Sequence, residues 1–134
     1  MLPTPRILIV EDESLVAFNL DRRLTRLGYS VVGRVATGAE AIHGALALCP
    51  HVVLMDIHLR GEMDGVEAAQ AIRAQKPIPI IFLSAYVDGA TIARLRAAGT
   101  AEAYLRKPIV DHTLQQTLQQ VLSFHQTGPP QNPC

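Results

Sequence analysis

The stretch His51-Val-Val-Leu-Met-Asp-Ile-His-Leu59 decides the fold of this chain. Its residues Val52 to Met55 form an unbroken apolar run that is β-branched at its start. A short run of this kind, with turn formers on both sides, indicates a central strand that is buried on both faces. The run ends at a carboxylate, Asp56, and open α/β sheets bind ligands beyond the carboxyl ends of their strands. Taken alone, Asp56 could merely start a turn, so its meaning depends on what other strands bring to the same edge.

Further strands alternate with helical patterns along the chain. Strand-like apolar runs also occur at residues 6–10, 30–36, 80–84 and 102–107. Residues that can cap helices precede the helical patterns: Ser14, Thr37, Asp64, Asp88 and Asp111. Five strands alternating with five helices predict a doubly wound α/β domain, in which a parallel sheet is covered on both faces. We expect one domain over residues 1–126 and a flexible C-terminal tail over residues 127–134.

The bulk composition excludes several classes of function. Twelve basic residues balance twelve acidic ones, which gives no electrostatic reason to expect nucleic acid as a partner. No apolar run approaches the ~20 residues that span a bilayer, and the N-terminus lacks the features of a signal peptide. We therefore expect a soluble cytoplasmic protein that binds neither nucleic acid nor membrane.

The residues at the strand ends carry complementary chemistry. In chain order they are Glu11, Asp12, Asp56, Ser84 and Lys107. Because parallel strands point the same way, these side chains should meet at one edge of the sheet. Three crowded carboxylates repel one another unless a cation joins them, and hard oxygen ligands suit Mg²⁺. The sequence therefore predicts a magnesium site at this edge.

The same edge also has the groups that phosphoryl transfer requires. The hydroxyl of Ser84 and the ammonium of Lys107 would donate to the oxygens of a phosphoryl group on Asp56. A carboxylate nucleophile that becomes an aspartyl phosphate is an established form of covalent catalysis. A nucleotide-binding function has less support, because the chain contains neither GxxxxGK[ST] nor GxGxxG.

Five short motifs stand in order at the predicted strand ends and the loop after the third strand. They are Ile-Leu-Ile-Val-Glu11-Asp12-Glu, Met55-Asp56-Ile, Met63-Asp64-Gly65, Leu83-Ser84-Ala85 and Tyr104-Leu-Arg-Lys107-Pro108. With these motifs the chain resembles the receiver domain of bacterial two-component response regulators, over about residues 5–125. The resemblance implies a flavodoxin-like sheet with the strand order 2-1-3-4-5.

The resemblance also implies a role for each site residue. Asp56 would accept a phosphoryl group from a sensor histidine kinase or a histidine phosphotransfer protein, and the domain would catalyse only its own phosphorylation and dephosphorylation. The Mg²⁺ ligands would be Glu11, Asp12, Asp56 and the backbone carbonyl of His58. Ser84 would bond the phosphoryl group and shift towards it, and Tyr104 would change rotamer with that shift. A cis Lys107-Pro108 peptide would aim the lysine.

The loop between Asp56 and Asp64 departs from the pattern of the family. It reads Ile-His58-Leu-Arg-Gly-Glu-Met63, which is one residue longer than in the chemotaxis receivers and lacks their proline. The shape of this loop, on the metal side of the predicted site, therefore cannot be carried over from the family.

Two other functions compete with phosphoryl signalling. A phosphohydrolase of the haloacid-dehalogenase class also uses an Asp at a strand end, but it usually has a second Asp two residues later as general acid, where this chain has His58. A degenerate receiver could act as a constitutive interaction module without phosphorylation. The suitable residue types at all the site positions argue against this second alternative.

The expected output is protein–protein contact. Only about ten residues follow the last predicted helix, too few for a further effector domain, so we expect a stand-alone receiver. Phosphorylation would bias an existing equilibrium between two arrangements of the face around Tyr104 and the last helix, which would bind an unknown downstream protein. That helix has a neutral polar face that could serve a homodimer contact, formed by Gln115, Gln116, Gln119 and Gln120.

Overall fold

A computed structural model describes residues 4–85, 88–98 and 103–126. Its elements in chain order are β1 (Arg6–Val10), α1 (Ser14–Arg26), β2 (Ser30–Val35), α2 (Gly38–Leu48), β3 (Val52–Asp56), α3 (Gly65–Arg73), β4 (Ile80–Ser84), α4 (Gly89–Ala98), β5 (Ala103–Arg106) and α5 (Asp111–Gln126). The predicted tail over residues 127–134 and Glu102, the first residue of the predicted fifth strand, lie outside the described residues.

The sheet is parallel and has the order β2-β1-β3-β4-β5, which confirms the predicted doubly wound fold. β3 lies between β1 and β4, and every residue of β3 is buried. This is the environment that its unbroken apolar run predicts, since a strand covered by helices on both faces has no solvent side.

Two apolar layers cover the sheet. Leu8, Met55 and Phe82 point to the layer that contains α2 and α3, where Ala45 and Ile72 are fully buried. The other layer is formed by α1 and α5, with Leu20, Leu24, Leu114 and Leu118 packed on the alternate residues of the same strands. Because helices cover both faces of the sheet, polar side chains can come together at the carboxyl ends of the strands.

Local capping explains where several helices begin. The Thr37 side chain accepts a hydrogen bond from the Glu40 amide, and Asp64 and Glu67 form a complete capping box at the start of α3. The predicted cap at Ser14 is wrong, because Ser14 is already the first residue of α1 and the cap is Glu13. The Ala17 amide donates to the Glu13 carbonyl. Gly28 follows α1 with φ of 99°, the left-handed conformation that closes a helix.

Arg6 and His51 join two strands at the opposite edge of the sheet. The Arg6 amide donates to Nδ1 of His51 at 2.9 Å, and the His51 amide donates to the Arg6 carbonyl at 2.8 Å. The Arg6 guanidinium also donates to the carbonyls of Leu48 and Cys49, which satisfies free groups at the end of α2. Burial, and then the charge of Arg6, lower the pKa of His51. A protonated Nδ1 could no longer accept the hydrogen bond from the Arg6 amide.

We expect the contribution of His51 to the stability of the protein to fall as the pH drops below the ordinary histidine value of 6.5. In the unfolded chain His51 takes up a proton near that value, whereas the folded chain resists protonation until lower pH, so acid favours unfolding. A His51→Asn variant keeps an acceptor near the Nδ1 position and does not titrate. Urea unfolding at several pH values should show less loss of stability in acid for this variant than for the original protein.

The matched control is His112→Asn, which changes an exposed histidine at the start of α5. The control should show the same pH dependence of stability as the original protein. Equal acid sensitivity of the His51 and His112 variants would contradict the assignment.

Within the described residues, no helix has both the length and the apolar character needed to cross a membrane.

Candidate functional site

The carboxyl edge of the sheet brings the predicted site residues together. Asp56 is the last residue of β3 and Ser84 the last of β4, and Asp56 pairs with the residue before Ser84. Glu11 directly follows β1, and its amide donates to the Val35 carbonyl. Lys107 directly follows β5, and its amide donates to the Ser84 carbonyl at 2.8 Å. The strand register therefore brings these four residues to the carboxyl edge of the sheet.

Three carboxylates form an acidic pocket at this edge. Glu11, Asp12 and Asp56 each place one oxygen within 4.8 Å of the oxygens of the other two. Glu11 and Asp56 are buried, and Oε2 of Glu11 has no hydrogen-bond partner among the described residues. A buried carboxylate oxygen without a partner carries a large desolvation cost, which a bound cation would remove. The pocket residues thus fit a divalent cation with hard oxygen ligands, as predicted for Mg²⁺.

Lys107 supplies the positive charge on the other side of the pocket. Its ammonium donates to Oε1 of Glu11 and, at 3.2 Å, to Oδ2 of Asp56. Burial opposes the charged ammonium, but the hydrogen bond with Glu11 and the charges of Asp56 and Glu11 outweigh it and raise the pKa of Lys107. The lysine is therefore a permanent cation that faces the Asp56 carboxylate.

Glu11 is hard to ionise in this pocket. Burial, and next the neighbouring Asp56, raise the pKa of Glu11 to about 7 against the opposing effect of Lys107. One lysine cannot neutralise three carboxylates, so without a metal the pocket keeps an excess of negative charge. Such a pocket favours cation binding and lowers the stability of the metal-free protein.

A Glu11→Gln variant should therefore be more stable than the original protein when no metal is present. Measured above about pH 7, where Glu11 is ionised, the free energy of unfolding should rise by about 1–2 kcal/mol, because the variant relieves carboxylate repulsion in a buried site. Urea unfolding in the presence of a chelator measures this difference. A matched Glu13→Gln variant, which removes an exposed carboxylate two residues away, should change stability little. A Glu11→Gln variant less stable than the original would contradict the expectation.

The backbone around Asp56 is held from two sides. The His58 amide donates to Oδ1 of Asp56 at 3.0 Å, which orients the carboxylate. Gly65, the first residue of α3, packs directly on this backbone: its amide donates to the Ile57 carbonyl, and a Cβ at Gly65 would lie 2.1 Å from the Asp56 carbonyl oxygen. Only glycine allows the start of α3 to approach this closely.

Arg23 supports the loop that follows Lys107. The guanidinium of Arg23 on α1 donates to the Ile109 carbonyl and, at 2.5 Å, to Oδ1 of Asp111. These contacts tie α1 to the loop that carries Lys107 into α5. The Lys107-Pro108 peptide in this loop is cis, as the resemblance implied.

The remaining predicted residues have defined positions but untested roles. Ser84 is completely buried at the end of β4. Tyr104 lies opposite Phe82 on β5, the edge strand of the sheet, with 47% of its surface exposed. The carbonyl of His58 as a metal ligand stays a prediction, as do the switch roles of Ser84 and Tyr104.

Sequence reasoning missed three residues that shape the site. Gly65 was recognised only as part of a motif, although the Asp-Gly pair before a helical pattern does signal a tight approach. Arg23 and Arg60 were missed because their partners lie far away in the chain. Arg60 in the loop after β3 places Nε 3.2 Å from Oδ2 of Asp12.

Fold and pocket together define a doubly wound α/β domain with an acidic pocket at the carboxyl edge of its sheet, and comparison with known proteins identifies its family. The response regulator receiver domain family matches residues 7–119. The chain therefore belongs to this family, as the sequence motifs indicated. Receiver domains are signalling domains of two-component systems rather than classical enzymes; they interact with histidine kinases and bind Mg²⁺ at an acidic pocket.

Two curated relatives show the extent of the similarity. The chain is 39% identical over 103 residues to the transcriptional regulatory protein PdtaR of Mycobacterium tuberculosis, covering 77% of this chain and 49% of PdtaR. It is 35% identical over 106 residues to the response regulator protein VraR of Staphylococcus aureus, covering 78% of this chain and 50% of VraR. The chain spans about half the length of these relatives.

Solved structures agree closely with the fold. The signal receiver domain of a modulated diguanylate cyclase from Desulfovibrio desulfuricans G20 is 37% identical, with a TM-score of 0.85 over 91% of this chain and 96% of that chain. The receiver domain of the sensor histidine kinase PA1611 from Pseudomonas aeruginosa PAO1 is 33% identical, with a TM-score of 0.81 over 90% of this chain and 99% of that chain. That structure has a magnesium ion coordinated in its active-site cleft.

Proposed function

We propose that this receiver domain accepts a phosphoryl group on Asp56 in a Mg²⁺-dependent reaction. The observation that carries the proposal is that the Asp56 carboxylate lies beside the carboxylates of Glu11 and Asp12 and also contacts the Lys107 ammonium. Three carboxylates provide a cation site, and the lysine provides a second positive charge. Phosphoryl transfer depends mostly on positioning and on charge neutralisation of this kind.

The donor is a phosphohistidine on a sensor histidine kinase or on a histidine phosphotransfer protein. An oxygen of Asp56 attacks the phosphorus and forms the new P–O bond. The P–N bond breaks, its electron pair returns to the imidazole nitrogen of the donor, and that nitrogen takes up a proton. The product on this chain is an aspartyl phosphate.

The residues of the chain prepare Asp56 for this step. The His58 amide holds Oδ1, so the carboxylate has a fixed orientation, and Lys107 holds Oδ2 at 3.2 Å. In the product, Lys107 and the Ser84 hydroxyl donate to phosphoryl oxygens. Glu11, Asp12 and Asp56, with the His58 carbonyl, would hold Mg²⁺, which when bound neutralises the charge of the transferring phosphoryl group.

The output follows from the same contacts. A phosphoryl group that accepts hydrogen bonds from Ser84 and Lys107 would move both residues, one at the end of β4 and the other directly after β5. The two residues would move together, because the Lys107 amide donates to the Ser84 carbonyl. Tyr104 stands on β5 three residues before Lys107, with its side chain half exposed. We place the switched protein-interaction surface on this face and on α5, with an unknown downstream protein or a second copy of the chain as its partner.

A small acyl phosphate tests the proposal without the kinase. Incubation with acetyl phosphate and Mg²⁺ should add one phosphoryl group per chain, detected by intact-mass spectrometry and removed by hydroxylamine or acid. A chelator should prevent the adduct. An adduct of equal yield without any divalent cation would contradict the proposed metal dependence.

The same protein should not turn over simple phosphate esters. Sustained multiple turnover of a generic ester would support a phosphohydrolase of the haloacid-dehalogenase class instead. The absence of any adduct from acetyl phosphate, with the fold intact by circular dichroism, would support a constitutive interaction module.

A further inference from the structure

Arg60 is a second cation at the acidic pocket. Its Nε lies 3.2 Å from Oδ2 of Asp12, whereas Lys107 contacts Glu11 and Asp56. All three pocket carboxylates are therefore paired with a positively charged side chain of the chain itself. The two cations differ in setting, because Lys107 is largely buried and the Arg60 side chain is 82% exposed.

The loop after β3 explains why Arg60 reaches the pocket. Leu59 is buried in the apolar layer beneath the loop, and Gly61 turns the chain with φ of 103°. Arg60 thus lies between the buried Leu59 and the turn at Gly61, and its side chain contacts Asp12. The Asp12 side chain is only 12% exposed, whereas the Arg60 side chain that contacts it is largely exposed.

We propose that Arg60 is a tethered cation that competes with the divalent metal for Asp12 and thereby sets the metal affinity of the domain. This inference rests on the proposed Mg²⁺-dependent function. A metal ion that binds Asp12 must displace the guanidinium or share the carboxylate with it, and the two positive charges repel each other. Because the Arg60 side chain is largely exposed, its ion pair with Asp12 is weak, so the competition lowers the metal affinity without blocking metal binding.

The direct test is the dissociation constant for Mg²⁺, measured by isothermal titration calorimetry on the unphosphorylated protein. Arg60→Gln should tighten Mg²⁺ binding by about two- to fivefold, which is the range expected for an exposed ion pair. The difference should shrink as the salt concentration rises, because salt screens the competition. Arg60→Lys keeps the charge and should bind Mg²⁺ much as the original protein does.

The matched control is Arg26→Gln, which removes one exposed positive charge from the last turn of α1, at the end of that helix remote from the pocket. This control should leave the dissociation constant unchanged. The inference is overturned if Arg60→Gln and Arg26→Gln bind Mg²⁺ equally, or if Arg60→Gln binds it more weakly than the original protein.

The outcome separates this inference from the proposed function. If the original protein binds Mg²⁺ and forms the phosphoryl adduct but the Arg60 variants show no change in affinity, only the competition by Arg60 fails. If the original protein binds no Mg²⁺ at all, the metal-dependent function and the inference fail together.

Discussion

An Asp56→Asn variant should form no phosphoryl adduct with acetyl phosphate and Mg²⁺ while remaining folded. The amide nitrogen and oxygen of Asn are poor nucleophiles at phosphorus, and the variant also removes one charge from the cation site. We expect the labelled fraction to fall by at least about 100-fold, which is the scale at which a lost nucleophile acts. Intact-mass spectrometry measures the labelled fraction, and circular dichroism with urea unfolding checks the fold.

The matched control is Glu62→Gln, which removes an exposed carboxylate from the loop after β3. This control should be labelled as efficiently as the original protein. An Asp56→Asn variant that is labelled to the same extent as the Glu62→Gln variant would place the phosphoacceptor elsewhere.

A Gly65→Ala variant should lose both stability and phosphorylation. A methyl group at this position would lie 2.1 Å from the Asp56 carbonyl oxygen and 2.9 Å from the Ile57 Cα, far inside normal contact distance. Both obstructing atoms belong to the backbone, so α3 or the end of β3 must move. We expect the free energy of unfolding to fall by about 2–4 kcal/mol. The yield of adduct should fall as well, because movement of β3 displaces the carboxylate from Lys107.

Gly89→Ala provides the control for a Gly to Ala change at the first residue of a helix. Among the described residues, and apart from the chain neighbours of Gly89 and the backbone of its own helix, no atom lies within 4 Å of a Cβ at Gly89, so this variant should keep its stability or gain a few tenths of a kcal/mol. Urea unfolding and adduct yield on both variants make the comparison. Equal stability of the two variants would show that the close approach of Gly65 to Asp56 is not required.

The features that could be predicted from the sequence are those that depend on neighbouring residues. The apolar run before Asp56 predicted β3 because a short, β-branched apolar run between turn formers is typical of a strand buried on both faces. The caps at Thr37 and Asp64 were predictable because a cap and its partner lie three residues apart. Since parallel strands share one direction, the convergence of Glu11, Asp56 and Lys107 also followed from the element order.

The features that could not be predicted depend on distances between remote parts of the chain. Arg23 supports the loop after Lys107 from 86 residues away, and no local pattern distinguishes it from other arginines of α1. The contact of Arg60 with Asp12 depends on the path of a loop whose length departs from the family pattern. The Ser14 cap failed for a different reason, because an acidic run offers several equivalent starting points for a helix.

The central claim is that Asp56 is the residue that carries the phosphoryl group. Borohydride reduces an aspartyl phosphate to homoserine, so it marks the modified residue permanently. After treatment with acetyl phosphate and Mg²⁺, followed by borohydride, peptide sequencing by mass spectrometry should find homoserine at position 56. Homoserine at position 12 or 64, or at no position in a protein that has gained a phosphoryl group, would contradict the assignment.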